Sequence, residues 1–64
     1  MQFIKNTIQD KVNNITITVL ATEKLTPQQT ANVVAYLIKA GKVKCPKKGH
    51  SLTVTYTGPA NMFD

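Results

Sequence analysis

Sixty-four residues with a net charge of +5, 42% of them hydrophobic and 17% charged, suffice for one small domain and are too apolar for a disordered basic tail. A chain this short buries only about 60% of its unfolded surface, which leaves little interior for an enclosed substrate cavity. The single cysteine, Cys45, excludes an intrachain disulfide, and no apolar run approaches the ~20 residues that a membrane span needs.

The chain opens Met1-Gln2-Phe3-Ile4-Lys5, without the apolar core of a signal peptide, so a cytoplasmic protein with no membrane partner is expected. Asn14-Ile15-Thr16-Ile17-Thr18-Val19-Leu20-Ala21 alternates apolar and polar residues and is rich in β-branched side chains, the pattern of a half-buried strand. Paired with Phe3 to Ile8, it predicts a hairpin that turns around Asp10 to Asn14. Ile4, Ile8 and Val12 also stand at i, i+4 and i+8, so a helical N-terminus is the alternative.

A helix is predicted from Thr26 to Ala40. Thr26 suits the N-cap, Pro27 the first helical position, and Gln29 completes a capping box. Gly41 follows where a left-handed residue closes a helix. Val33, Val34, Leu37, Ile38 and Ala40 form its apolar stripe, with Ala31 at the edge. Beyond it, Lys42-Val43-Lys44-Cys45 and Ser51-Leu52-Thr53-Val54-Thr55-Tyr56-Thr57 both alternate, and Pro46-Lys47-Lys48-Gly49-His50 between them has turn chemistry, which predicts a second hairpin. Gly58-Pro59 ends the last strand. The expected architecture is α+β, one helix packed on an antiparallel sheet in the order ββαββ. Residues 1–58 are expected to form the domain and 59–64 a loose tail; the alternative is that its Met62 and Phe63 clip back onto the core.

Five of the eight lysines, Lys39, Lys42, Lys44, Lys47 and Lys48, fall within ten residues, and no carboxylate stands between Glu23 and Asp64. Such a concentrated positive surface fits a polyanion, since each lysine that neutralises a phosphate releases a counterion. Lysine at a helix C-terminus and on a strand edge also has purely structural uses. The chain has no arginine, whose planar fork makes the bidentate contact to guanine; lysine serves phosphates better than bases. Tyr36, beside the helix stripe, would suit base stacking if exposed.

Catalysis finds no support. Asp10, Glu23 and Asp64 are scattered, no glycine-rich phosphate loop is present, and Cys45 with His50 supplies too few ligands for zinc and no third group for a catalytic pair. No cofactor and no metal are expected.

Leu20-Ala21, then Leu25-Thr26-Pro27, then Val34, Leu37, Ala40-Gly41 and Val43, followed by a lysine-rich hairpin, resemble the succession of motifs in winged helix-turn-helix DNA-binding domains. The match runs from Leu20 to Tyr56. The resemblance implies a positioning helix before Leu25 and a recognition helix presenting Gln28, Gln29, Asn32 and Tyr36 to the major groove. It also implies a wing whose Lys44, Lys47 and Lys48 hold the DNA backbone.

The expected function is therefore that of a non-enzymatic, nucleic-acid-binding regulatory protein, with DNA preferred to RNA. Lys39, Lys42, Lys44, Lys47 and Lys48 would contact phosphates, and Gln28, Gln29 and Asn32 would read bases. The alternative is a protein-binding regulator or inhibitor, of the kind that mobile elements and phages carry, which docks a sheet edge or helix face onto an acidic partner. A homodimer is compatible with both, because edge pairing would enlarge a small core.

Overall fold

The computed structural model describes residues 2–59, and the expected loose tail with its Met62 and Phe63 lies outside them. Its elements are β1 (Ile4–Asp10), β2 (Ile15–Ala21), α1 (Pro27–Lys39) and β3 (Ser51–Tyr56). They form a small α+β domain in which one helix covers a mixed sheet of three strands in the order β1-β2-β3.

The N-terminal residues adopt the hairpin. β1 and β2 pair antiparallel and one to one, from Ile4 opposite Ala21 to Asp10 opposite Ile15. The Asp10 carboxylate shapes the turn by accepting from the backbone N–H of Val12 (3.1 Å) and of Asn13 (3.2 Å) and from the Asn13 side chain (3.0 Å). Asn14 takes the left-handed conformation (φ 55°) that its short polar side chain tolerates. Val12, the third residue of the helical alternative, is in this turn and 83% exposed. Leu20 and Ala21, which the winged-helix resemblance would assign to a positioning helix, lie in β2.

The helix begins as its sequence dictates. The Thr26 hydroxyl accepts from the Gln29 N–H at 3.1 Å, and the Gln29 side-chain oxygen accepts from the Thr26 N–H at 3.0 Å. At the other end Gly41 adopts φ 76°, its N–H donates to the Ile38 carbonyl, and the Lys42 N–H reaches back to that of Leu37, both at 3.0 Å. This is a Schellman closure. The buried face is Thr30, Val33, Val34 and Leu37. Ile38 is only half-buried, and Ala40, expected within the stripe, is exposed because it caps the helix past the point where the apolar face ends.

The C-terminal half departs from the expected second hairpin. Lys42 to Cys45 form no strand; residues 40–50 are an irregular connection. β3 lies beside β2 and runs parallel to it, Thr16 opposite Ser51 through Ala21 opposite Tyr56. The sheet is thus mixed, and a fourth strand is absent among the described residues. Val43 accounts for the misleading alternation, since its side chain packs against the core as a loop residue.

Asn6, Val19 and Val54 stand side by side in register on the face toward α1, and Thr7, Thr18 and Thr53 form the corresponding row on the other. The core joins Val19, Ala21 and Val54 of the sheet to Val33, Val34 and Leu37 of the helix and to Leu25 before it. Asn6 is the polar exception at 6% exposure. Its Nδ2 donates to the carbonyls of Ile4 (3.1 Å), Val19 (3.3 Å) and Glu23 (3.3 Å), while its Oδ1 accepts from the Leu25 N–H at 2.8 Å. One amide therefore ties together β1, β2 and the connection to α1. No described helix is long and apolar enough to cross a membrane.

Candidate functional site

The lysine-rich segment joins α1 to β3, and its shape is set by three local devices. The Schellman closure turns the chain at Gly41, so that Lys39 sits in the last helical turn and Lys42 just beyond it. Both are placed favourably against the negative end of the helix dipole. Five residues on, the His50 N–H donates to the Lys47 carbonyl at 3.0 Å and Gly49 adopts φ 83°, giving a tight turn with Lys48 and Gly49 at its centre. The Gly49 N–H in turn donates to the Asn13 carbonyl at 3.0 Å, which fastens this turn to the β1–β2 turn. Lys47 and Lys48 thus stand on an anchored turn, although it does not join two strands of a hairpin.

Lys39, Lys42, Lys44, Lys47 and Lys48 are all exposed. The Lys42 ammonium lies 6.0 Å from the centre of the Tyr36 ring, at the outer limit of a cation–π contact. Tyr36 is itself 45% exposed. The two residues line a shallow cleft of about 330 Å³ together with Leu37, Thr55, Tyr56 and Pro59. The Tyr56 hydroxyl donates to the Pro59 carbonyl at 3.0 Å, and a Cβ on Gly58 would collide with the Tyr56 ring and hydroxyl. Glycine is what lets the chain fold over that ring. Burial raises the Tyr56 pKa above its ordinary value of 10.0, and the nearby Tyr36 and Glu23 add to the effect.

Gln28, Gln29 and Asn32 are not brought to the lysines. They occupy the first turns of α1, and at ~1.5 Å per residue Gln28 lies roughly 16 Å along the axis from Lys39. Gln28 donates to the Asn32 side-chain oxygen at 3.0 Å, and the Gln29 oxygen is engaged in the capping box. Reading a base with Gln29 would mean opening the helix N-terminus.

Cys45 is exposed and free, and no group of three or more potential ligands gathers among the described residues. Two features escaped the sequence reading. Asn6 lies between Ile4 and Ile8 on the inward parity of β1, a sign that it too points to the core. A second concavity, between β1 and the start of α1, needs tertiary structure to be seen at all. No family model matches this chain, and no curated protein or solved structure matches it either.

Proposed function

We propose that this protein binds nucleic acid without catalysing a reaction, with DNA the expected target. The connection between α1 and β3 holds the phosphates, and the carrying observation is that four exposed lysines are concentrated there, with Lys39 just before them at the end of α1, in a segment free of carboxylates. Lys42, Lys44, Lys47 and Lys48 contact the backbone, while Lys39 adds to the local field. The cleft beside Lys42, with Tyr36 and Tyr56, offers ring surface continuous with the cations, which suits a strand whose bases can unstack. Because the amides of Gln28, Gln29 and Asn32 are paired within the helix and distant from the lysines, binding is tolerant of sequence. The protein serves as a regulatory coat or clamp rather than a reader of one site.

Titration of duplex and single-stranded DNA across a salt series tests this. Four phosphate contacts give a slope of log K against log salt of about −3.6 on duplex, at ~−0.9 per contact. Changing both Lys47 and Lys48 to Gln flattens it by about 1.8 on the same rule, with little effect on stability since both side chains are exposed. A double variant that binds as tightly as the parent, or a parent that binds nothing above ~0.15 M salt, refutes the reading.

A further inference from the structure

Among the described residues the sheet has a free edge that the lysine segment does not serve: β1 is bonded to β2 on one side only and lies across β2 from β3. In an antiparallel pair each strand turns alternate backbone groups toward its partner, so every second residue of β1 directs its N–H and C=O outward. Edge strands are normally blunted by brevity, proline, bulges or charge. β1 has seven residues, pairs with β2 without a bulge and contains no proline. Its one cation is Lys5.

Beside this edge lies a concavity of about 280 Å³, with Thr7 and Ile8 on the strand side and Leu25 and Pro27 on the helix side. Lys5 and Lys24 flank it, and among the described residues no carboxylate lines it. The first turn of α1 has no acidic residue either. Asn6 spends its side chain on four internal hydrogen bonds, so a guest meets backbone groups, apolar surface, the threonines Thr7 and Thr30 and two lysines.

We propose that this groove is a docking site for an extended acidic peptide segment of a partner protein, which adds to β1 as a fourth strand. Main-chain hydrogen bonds to the outward-facing groups of β1 supply the pairing. Alternate side chains enter the apolar groove, and the acidic ones in between meet Lys5 and Lys24. Nucleic acid fits the site less well, because a row of strand amides and carbonyls is complementary to another peptide backbone. A second copy would bring two chains of charge +5 together edge to edge.

The test uses the full isotopically labelled chain and an N-acetylated, C-amidated hexapeptide of alternating valine and glutamate. Saturable binding is expected, with shift changes along Ile4–Asp10 and at Lys24 and Leu25, and with slowed hydrogen exchange at alternate β1 amides. Two further peptides of the same charge carry N-methyl groups on the odd or on the even residues. One of them should lose at least about tenfold in affinity, the loss expected for one or two hydrogen bonds, and the other should bind like the parent. Lys5→Glu with Lys24→Glu should weaken binding, whereas Lys47→Gln with Lys48→Gln should leave it intact. This last pair separates failure here from failure of nucleic-acid binding.

Absence of saturable binding overturns the proposal. So does equal affinity of both methylated peptides, or shifts confined to residues 39–48, each of which marks simple ionic adsorption. Concentration-dependent protection of the β1 amides without peptide also overturns it, since a second copy then holds the edge.

Discussion

Removal of the Asn6 side-chain amide tests how this domain holds its layers together. In Asn6→Ala the Leu25 N–H, in a residue 6% exposed, loses its acceptor, and the carbonyls of Ile4, Val19 and Glu23 lose a common donor. An unsatisfied buried group costs ~1–3 kcal/mol, and the space left by the amide adds to that, so a loss of about 2–3 kcal/mol is expected. At ~0.05–0.15 kcal/mol per residue the whole domain is stable by only about 3–10 kcal/mol. Melting followed by circular dichroism should therefore fall by roughly 10–20 °C. Asn6→Asp sharpens the test because it keeps the acceptor for Leu25 but turns a second oxygen toward three carbonyls. That environment penalises the ionised form and raises the folded-state pKa of the new carboxyl above its unfolded value of ~3.9. The folded protein then holds the proton more tightly, so the variant is most stable below the unfolded pKa. It loses stability as pH rises from there through the folded pKa. An alanine variant that melts within a few degrees of the parent, or an aspartate variant with no such pH trend, refutes the assignment of Asn6 as the tie between layers.

Leu37→Ala should destabilise by about 2–5 kcal/mol in urea unfolding, since Leu37 is buried in the core between helix and sheet; a parent-like midpoint would mean that the buried helix face is wrongly placed. Hydrogen bonds from the Asn13 side chain and backbone and from the Val12 N–H hold the Asp10 carboxyl below its ordinary 3.8. Its contribution to stability is thus present above the unfolded pKa and is lost as pH falls through the lower folded one. Asp10→Asn should give a flatter acid limb below roughly pH 4 in the same unfolding experiment, and an unchanged limb would remove Asp10 as a determinant of the turn.

What the sequence disclosed and what it hid divide along local and non-local lines. The capping box of Thr26 and Gln29, Pro27 at the helix start and Gly41 at its end act within a few residues, and each does in three dimensions what its position announced. The N-terminal hairpin was similarly legible from its alternating Ile and Thr, although β1 runs on to Asp10, past the expected strand end at Ile8. The partner of β3 was not. Leu52, Val54 and Tyr56 face the core whether the neighbouring strand runs with or against them, so alternation carries no information about direction. Lys42 to Cys45 mimicked a strand because a loop that buries Val43 between lysines writes the same pattern. At the candidate site the lysines were legible as exposed charge, yet their separation from Gln28 and Asn32 follows from helix length alone. Asn6 was hidden by polarity, since an asparagine between Lys5 and Thr7 reads as surface until the parity of Ile4 and Ile8 is taken seriously.

The parallel pairing of β3 bears on the order in which the chain assembles. The β1–β2 hairpin and α1 each close over short stretches of chain, whereas every β2–β3 pair joins residues 35 positions apart, from Thr16 with Ser51 to Ala21 with Tyr56. The entropy of closing that long connection is recovered only once α1 has shortened it and offered Val33 and Leu37 as a floor. β3 is therefore expected to be the last element to dock, which pulsed hydrogen exchange during refolding would check. Until β3 docks, the second edge of β2 lies open, so a chain folded only as hairpin and helix would be the form most exposed to misassembly with another chain.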